Sequence, residues 1–398
     1  MMSSGSMWRD AVYRRLSAMN RVVKRFLGAD HEQVAPPGTE QFLDAAGVKP
    51  TYADDAIHGS WVFVLQYVAR GSGGLSDILH LGEELEKQYG LSVSYYVMGG
   101  QSVDECRTGI RWTLPTVRDE QVLDRVDFIP EFLCATAWPT AYCVSTMRSK
   151  RKLYFVQDYE PWFHRAGMSQ HHAQRTYEMG FELFTLGPWL AEHLVATHGC
   201  QAEAMPFPAT DLAEPGRPLT ERKVVAFYVQ PDKEHRGTEL MIEGARRLSV
   251  PLRERGLELV IFGSAENEYL ALDFPCTVRG VLDRGALEAL FRSARAGVGS
   301  SFSNVSLMTF RVLTFGCMTL EVDRAANHRN VPASAAALMR YFDATPEALL
   351  TAVLDAVDHP APEADRKAAA LAVAEQHSWQ ACARSLGKLI KTFPPVTR

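Results

Sequence analysis

Apolar runs alternate with amphipathic stretches along most of the chain after residue 60. WVFVLQYV at 61–68 and KVVAFYV at 223–229 are apolar at nearly every position, which is typical of strands buried on both faces of a parallel sheet. SDILHLGEELEKQY at 76–89 has the spacing of a helix with one apolar side, and Gly90 follows it as a stop signal. Further strands are predicted at 92–97, 133–137, 153–157, 183–186 and 257–263. This alternation predicts an α/β protein with two doubly wound domains.

A Pro-rich polar segment, FPATDLAEPGRPLTER at 207–222, is the predicted linker between the two domains. We therefore expect an N-terminal domain over 58–210 and a C-terminal domain over 211–377. The last helix, near 378–391, is expected to cross back, so that residues 378–398 belong with the first domain. Residues 1–57 are predicted to be a helical extension and its linker.

The extension contains one basic amphipathic stretch, MWRDAVYRRLSAMNRVVKRFL at 7–27. It carries six Lys and Arg residues and one acid, Asp10, on a helical apolar spacing. Such a helix can lie on an anionic membrane surface as a peripheral contact. It can equally pack on the protein body or on a partner, with its basic face in solvent.

Composition narrows the class of protein. The 398 residues are 46% hydrophobic and 22% charged with a net charge of −5, which fits a two-domain globular protein and gives no reason to expect nucleic acid. The seven cysteines include no CxxC pair, so we expect free thiols in a reducing cytoplasm and no structural zinc. No apolar run approaches the roughly 20 residues of a bilayer span, and no secretory h-region is present.

The first candidate site is the glycine loop ARGSGGLSD at 69–77. Gly71, Gly73 and Gly74 lie between a predicted strand and a helix, where backbone can approach a phosphate or a sugar closely. Arg70 favours a ligand at this loop. The alternative is a structural turn that needs a positive φ.

The second candidate site, YFVQDYEPWFH at 154–164, places acids and aromatic residues after a strand. Hydroxyl hydrogen bonds and ring stacking are the means by which such side chains hold a sugar. In the alternative, the aromatic residues belong to the core and the aspartate caps the next helix. The candidate residues are Gln157, Asp158, Tyr159, Glu160 and Trp162.

The third candidate site is PDKEHRG at 231–237, a cationic junction between a strand and a helix. Lys233 and Arg236 are placed to neutralise a diphosphate, through charge-assisted bonds worth about 1.5–3 kcal/mol each. A solvated surface loop is the alternative. We expect the double variant Lys233→Ala, Arg236→Ala to lose its affinity for a donor that carries this diphosphate, with thermal stability nearly unchanged.

The fourth candidate site is GSSFSNVSLMTF at 299–310, where small polar residues crowd another junction between a strand and a helix. Ser303, Asn304 and Ser306 could offer hydroxyl and amide donors to an anion. Capping of the following helix by Asn304 or Ser306 is the alternative.

Taken in order, these segments resemble the GT-B glycosyltransferases, and most closely the bacterial rhamnosyltransferase type within glycosyltransferase family 4. The resemblance covers about residues 61–391. It rests on the glycine loop, YFVQDYEPWF, FTLGPWLAEHL at 184–194, PDKEHRG, and SFSNVSLMTFRVLTFGCMTLEVD at 301–323.

The resemblance implies a retaining transferase with two facing Rossmann-like domains and no bound metal or cofactor. A nucleotide sugar would bind mainly to the C-terminal domain, and a glycan or lipid-linked acceptor to the N-terminal domain. Lys233 and Arg236 would meet the donor diphosphate, Asp158 the transferred sugar, and Gly73 and Gly74 the phosphates. No oligomeric state follows from it.

One departure from the family pattern concerns two glutamates eight positions apart, which correspond here to Ser303 and Arg311. An arginine cannot accept the hydrogen bonds of ribose hydroxyls. A deoxyribose donor such as dTDP-rhamnose would lessen the loss, and Arg311 could reach a phosphate, an acidic sugar or a salt-bridge partner instead.

Two rival functions remain open at this point. One is a catalytically silent subunit that scaffolds a partner transferase, and the other is a nucleotide-sugar epimerase.

Overall fold

A computed structural model of the chain describes residues 51–209 and 213–390, apart from positions 266, 268, 269 and 271. The predicted basic helix at 7–27 lies outside the described residues, as does part of the predicted linker at 207–222.

The first half of the described chain forms a seven-stranded parallel sheet. In chain order the strands are β1 (Thr51–Tyr52), β2 (Ile57–Leu65), β3 (Ser92–Val97), β4 (Val122–Leu123), β5 (Pro130–Ala135), β6 (Arg148–Ser149), β7 (Arg151–Val156), β8 (Glu182–Leu186) and β9 (Ala202–Met205). The helices are α1 (Gly73–Tyr89), α2 (Val103–Thr113), α3 (Trp138–Thr146), α4 (Met168–Thr176) and α5 (Pro188–His198), with short 3-10 helices at Asp119–Gln121 and Glu160–Phe163. The sheet order is β4-β3-β2-β5-β7-β8-β9, while β1 pairs with β6 separately.

The second half forms a six-stranded parallel sheet. Its strands are β10 (Val224–Tyr228), β11 (Glu258–Phe262), β12 (Thr277–Val278), β13 (Ala294–Val298), β14 (Met318–Val322) and β15 (Met339–Phe342), in the order β12-β11-β10-β13-β14-β15. The helices are α6 (Thr238–Glu254), α7 (Arg284–Ser293), α8 (Leu307–Thr314), α9 (Ala325–Asn330), α10 (Pro346–Asp358), α11 (Glu363–Gln376), α12 (Trp379–Ser385) and α13 (Gly387–Ile390). Short 3-10 helices lie at Leu219–Glu221, Glu234–Arg236 and Ala333–Ala335.

The central strand of each sheet is buried on both faces, as the apolar runs predict. On β2, Trp61 and Phe63 pack into one apolar cluster, whereas Val62 and Val64 pack into another. Alternate side chains of a strand point to opposite faces, so a strand covered by helices on both sides must be apolar throughout. The predicted fold class is therefore confirmed.

Helix α1 begins three residues earlier than the apolar pattern predicts. The hydroxyl of Ser72 accepts a hydrogen bond from the backbone N–H of Leu75 at 3.3 Å and caps the helix. Gly90 ends it in the left-handed conformation, with φ of 66°. Gly73 and Gly74 thus belong to the first turn of α1, where backbone N–H groups lack helical partners.

The segment predicted as a last helix at 378–391 forms two short helices, α12 and α13. It contacts α1 of the first half: Gln88 Nε2 donates to the carbonyl of Gln380, and the Tyr89 hydroxyl to that of Ala383, both at 3.3 Å.

In both sheets the strand order reverses beside the first strand of the unit, between β2 and β5 and between β10 and β13. Ligands of open parallel sheets bind outside the carboxyl ends of the strands at such reversals. Side chains at the carboxyl ends of the two sheets contact each other, so a ligand is expected in the crevice between them.

Three sequence expectations concern the whole chain. All seven cysteines are free thiols, as predicted. Among the helices of the described ranges, none combines the length and apolar composition that crossing a bilayer requires. The same residues contain no group of three His, Cys, Asp or Glu side chains arranged for a metal ion.

Candidate functional site

Asp158, which follows β7, bonds to the second domain through both carboxylate oxygens. Oδ1 accepts from the backbone N–H of Tyr159 at 2.8 Å and of Asn304 at 2.9 Å. Oδ2 accepts from the Ser303 hydroxyl at 2.9 Å and lies 3.9 Å from Arg236 Nη2. Burial raises the pKa of Asp158, and the charge of Arg236 and these hydrogen bonds oppose the rise. Asp158 and Ser303, both predicted site residues, thus meet each other.

Arg236 lies at the centre of this contact, with its side chain only 13% exposed. Nη1 donates to the Ser301 hydroxyl at 2.9 Å and to the carbonyl of Asn304 at 3.2 Å. Ser301 in turn donates to the fully buried carboxylate of Glu321 at 3.0 Å, as Thr309 does at 2.7 Å. Glu321 was missed from the sequence, although an acid inside the apolar strand β14 is a detectable signal.

Asn304 joins the domains through its side-chain amide nitrogen. Its Nδ2 donates to the carbonyls of Gln157 at 3.0 Å and Leu186 at 2.9 Å, and its Oδ1 accepts from Asn330 Nδ2 at 2.8 Å. Asn330 Oδ1 also accepts from the backbone N–H of Trp189 at 3.2 Å. The Asn304 amide is thus fully hydrogen-bonded, with its nitrogen crossing to the first domain and its oxygen bonded within the second. Asn330 carried no sequence signal.

Beside Arg236, the N-terminus of α6 holds polar atoms without hydrogen-bond partners. Gly237 is left-handed, with φ of 57°, and a Cβ there would lie 2.8 Å from Ser300 Oγ. Arg236 Nε, Thr238 Oγ1 and Ser300 Oγ are buried and have no partner among the described residues. We call Arg236, Gly237, Thr238 and Ser300 the α6 cradle. Donors at the positive end of a 17-residue helix favour an anion.

Lys233 is half-buried beside this cradle, and its Nζ donates to Gln230 Oε1 at 3.3 Å. Burial lowers the pKa of Lys233, and Arg236 lowers it further, whereas Asp232 and Asp158 raise it. Neither predicted cation therefore points into bulk solvent away from the crevice.

His235 closes one side of the crevice as a neutral ring. It stacks on Phe163 of the first domain at a centroid distance of 4.1 Å. Burial lowers the pKa of His235 to about 2, with further lowering from Arg236 and Lys233. A neutral imidazole can contact an aromatic ring without the cost of a buried charge.

The glycine loop packs directly against the second domain. Gly71 has φ of 75°, and a Cβ there would lie 2.5 Å from Val281 Cγ1, while one at Gly73 would lie 3.1 Å from Leu307 Cδ1. Both the turn and the close approach therefore require glycine. Arg70 is exposed at the surface.

Gln157 supports the same loop from within its own domain. A Cβ at Gly74 would lie 2.9 Å from Gln157 Oε1. The backbone of Gln157 accepts from Asn304, so this residue connects the first turn of α1 with the domain contact.

Ser306 and Arg311 have other partners. Ser306 is the N-cap of α8, since its Oγ accepts from the N–H of Met308 at 3.2 Å. Burial lowers the pKa of the half-buried Arg311, and the charge of Asp77 on α1 is the first influence opposing it. Asp77 is 1% exposed, and burial raises its pKa well above the usual range, with Arg311 opposing. The two charges attract each other, but Asp77 Oδ2 is buried without a hydrogen-bond partner among the described residues, so no hydrogen-bonded ion pair joins them.

Tyr159 and Glu160 turn into the first domain. The Tyr159 hydroxyl pairs with His198 Nε2 at 2.9 Å. Glu160 Oε2 accepts from the N–H of Trp138 at the start of α3 at 2.6 Å and from the Tyr154 hydroxyl at 3.3 Å. Burial raises the pKa of Glu160 to about 8 despite these bonds.

The raised pKa of Glu160 predicts a pH dependence of stability. Between about pH 4.5 and 8 the folded protein keeps a proton that the unfolded chain releases, so the stability contributed by this group falls as pH rises through that window. The free energy of unfolding of Glu160→Gln should therefore increase relative to that of wild type as pH rises, as measured by urea denaturation. The exposed Glu375→Gln is the control, and a Glu160→Gln difference independent of pH would contradict the prediction.

The backbone of the α6 cradle predicts a specific glycine requirement. Gly237→Ala should destabilise the fold by about 2–5 kcal/mol, because a left-handed alanine costs about 1–2 kcal/mol and overpacking about 1–3 kcal/mol. The added methyl would lie 2.5 Å from Phe302 Cε2. Gly256→Ala is the matched control, with φ of 66° and nothing within 4 Å. Equal losses in thermal denaturation would show that only backbone strain matters.

The fold and sequence are similar to those of known proteins. No protein-family model matches the chain. Over 255 residues, 62% of the chain, it is 32% identical to the O-antigen biosynthesis protein RfbC of Myxococcus xanthus, and it spans only 20% of RfbC. HepE of Anabaena, solved with UDP-glucose, superposes with a TM-score of 0.63 and 8% identity over 84% of this chain and 100% of HepE.

A second solved structure is WaaG, a glycosyltransferase involved in lipopolysaccharide biosynthesis. It superposes with a TM-score of 0.56 and 14% identity over 83% of this chain and 100% of WaaG. At such low identities these likenesses concern the fold alone. The two facing parallel sheets of seven and six strands are the GT-B fold.

Proposed function

We propose that this chain is a glycosyltransferase that moves a sugar from a nucleotide-diphosphate donor to a glycan or lipid-linked acceptor during synthesis of a bacterial surface polysaccharide. One observation carries the proposal: the α6 cradle holds three buried polar atoms without partners among the described residues, beside a helix N-terminus and next to the Arg236–Asp158 contact between the domains. An anion at this place would satisfy them. The likeness to an O-antigen biosynthesis protein supports the polysaccharide context.

In this proposal the protein accelerates departure of the nucleotide diphosphate. Arg236 and the N–H groups of α6 are in place before reaction, so they stabilise the charge that grows on the leaving oxygen without reorganising. Lys233 adds a second cation nearby. The domain contact around His235 and Phe163 excludes water, which protects the activated sugar from hydrolysis.

The acceptor hydroxyl would attack from the face that the diphosphate leaves, with the departing oxygen taking its proton. This route retains configuration and needs no side-chain nucleophile. Asp158 suits a positioning role, because both its oxygens already hold the loop that carries Ser303 and Asn304.

A dTDP-deoxyhexose such as dTDP-rhamnose is the donor that we propose. Neither Ser303 nor Arg311 supplies a carboxylate for ribose hydroxyls, and the carboxylate of Glu321 is engaged by Ser301 and Thr309. A deoxyribose has one hydroxyl fewer to satisfy. A cytoplasmic location with peripheral membrane contact through residues 7–27 belongs to the same proposal.

A donor panel tests the function. Full-length protein is incubated with dTDP-rhamnose, UDP-glucose and GDP-mannose, with and without bacterial polysaccharide fragments, and nucleotide release is measured. Release that depends on acceptor, with sugar added to the fragment, is expected. Release without acceptor together with an altered sugar would establish an epimerase instead.

A second candidate, a catalytically silent GT-B subunit that scaffolds a partner transferase, is favoured by a separate observation. At the two glutamate positions of the resembling family, Ser303 donates to Asp158 of the other domain, and Arg311 is influenced by the charge of Asp77 of the other domain. Absence of calorimetric binding for every donor in the panel would favour this candidate and overturn the transferase.

A further inference from the structure

Three aromatic rings form a surface at the carboxyl edge of the first sheet. Trp162 lies in the 3-10 helix after β7, and Trp189 and His193 lie one turn apart on α5. The Trp162 ring centroid is 5.8 Å from that of Trp189 and 5.2 Å from that of His193. Trp189 and His193 stack at 5.0 Å with an interplanar angle of 16°. We call these three residues the aromatic platform.

The aromatic platform is fixed from below by buried groups. Tyr159, 4% exposed, packs edge-on against His193 at 4.5 Å and against Trp162 at 5.1 Å. Its hydroxyl is held by His198 at 2.9 Å. Rings already held in place lose little conformational entropy when a ligand binds.

The platform is open on its outer side. Trp162 is 42% exposed, so it does not belong to the core, which was the alternative interpretation of this aromatic residue from the sequence. Within the described part of the chain, the indole N–H groups of Trp162 and Trp189 have no hydrogen-bond partner. An exposed indole offers an apolar face and a donor at its edge, and such rings mark binding surfaces.

The platform borders the crevice between the domains. The backbone N–H of Trp189 donates to Asn330 Oδ1 of α9, and Phe163, next to Trp162, stacks on His235 beside Arg236. Trp162 is four positions after Asp158 in the chain, so their Cα atoms are at most about 14 Å apart. A ligand on the platform can therefore be continuous with a group reacting at the crevice.

We propose that the aromatic platform binds the saccharide chain of the acceptor, at sugar units beyond the one that receives the transferred sugar. Pyranose rings present C–H faces to aromatic rings and hydroxyls to indole donors, which matches both properties of the surface. Glu192, one turn after Trp189 on α5, pairs with Arg329 at 2.7 Å, so this pair offers no net charge to an anionic headgroup. This inference rests on the proposed function and names the acceptor class.

The test measures binding of the full chain to a printed array of bacterial surface oligosaccharides from one to eight units. Wild type should bind members of several units, and Trp162→Ala should weaken that binding about tenfold, a typical value for losing one ring contact together with its buried area. Trp162→Phe should retain part of the affinity. Trp112→Ala, on α2, is the matched control, because Trp112 is 39% exposed and no ring contacts it in the described ranges.

Binding of dTDP-rhamnose by calorimetry separates the two proposals. Loss of oligosaccharide binding in Trp162→Ala with donor affinity unchanged supports the platform. The platform proposal would be overturned if Trp162→Ala bound the oligosaccharides as tightly as wild type does. It would also be overturned if wild type bound the donor but none of the oligosaccharides. Neither result would affect the proposed transferase activity. Binding of the protein to sugar-free phosphatidylglycerol vesicles is measured as well. If wild type binds these vesicles and Trp162→Ala does not, the surface is a membrane-docking site instead.

Discussion

Replacing Arg236 with alanine is expected to lower the affinity for a nucleotide-sugar donor by at least about 100-fold, since two charge-assisted hydrogen bonds of about 1.5–3 kcal/mol each would be lost. Arg236 is the cation whose guanidinium is fixed at the α6 cradle by Ser301 and Asn304. Isothermal titration with dTDP-rhamnose and with inorganic pyrophosphate measures the effect. Loss of both ligands is expected, because the site recognises the diphosphate.

The control for Arg236→Ala is an arginine on α6, the helix that follows Arg236. Arg246 on α6 is partly exposed and pairs with Glu243 at 3.3 Å and with Asp273, so Arg246→Ala should bind donor as wild type does. Arg236→Lys keeps the charge and loses the fork geometry, and it should retain intermediate affinity. A folded Arg236→Ala protein that binds pyrophosphate at wild-type strength would remove the proposed diphosphate site.

The structure changes the stability expected for this variant. From the sequence, the double variant Lys233→Ala, Arg236→Ala should keep its thermal stability. Arg236 is instead buried and faces the buried carboxylate of Asp158, so its loss should cost about 1–3 kcal/mol. Binding is therefore to be measured well below the thermal midpoint of the variant.

Reversing the charge at position 311 is the second large effect. Arg311→Glu would restore the acid of the resembling family but place it opposite Asp77, which is 1% exposed. An acid there would remove the positive charge that opposes the raised pKa of Asp77 and add a like charge, so we expect the free energy of unfolding to fall by about 0.5–3 kcal/mol. Adding Asp77→Asn should recover much of it, which a double-mutant cycle by urea denaturation would detect.

The exposed Arg284 provides the matched control for the charge reversal. Its side chain is 84% exposed and pairs with Glu288 on α7, so Arg284→Glu should change stability little. Arg311→Glu that is no more destabilising than Arg284→Glu would show that Asp77 and Arg311 are not coupled. A stable Arg311→Glu with tighter donor binding would indicate a ribose contact at position 311 instead.

The fold and the chemical character of the site follow from local sequence. Apolar runs such as the one in β2 are buried on two faces because only a helix-covered parallel sheet can bury every position. PDKEHRG and GSSFSNVSLMTF lie at the carboxyl ends of β10 and β13, where strand-to-helix junctions converge. The order of elements alone brings these segments together.

The partners of individual site residues required the tertiary structure. Neighbours in the crevice, such as Asp158 and Asn304, are 146 positions apart, and no local pattern states which oxygen meets which donor. The same holds for Asp77 opposite Arg311, for Glu160 turned into its own domain, and for Trp189 beside Trp162. Sequence determined which groups reach the facing sheet edges, because strand period and helix caps are local. Only the packing of one sheet edge on the other decided which charges are neutralised, because desolvation and hydrogen bonding depend on distances across the crevice.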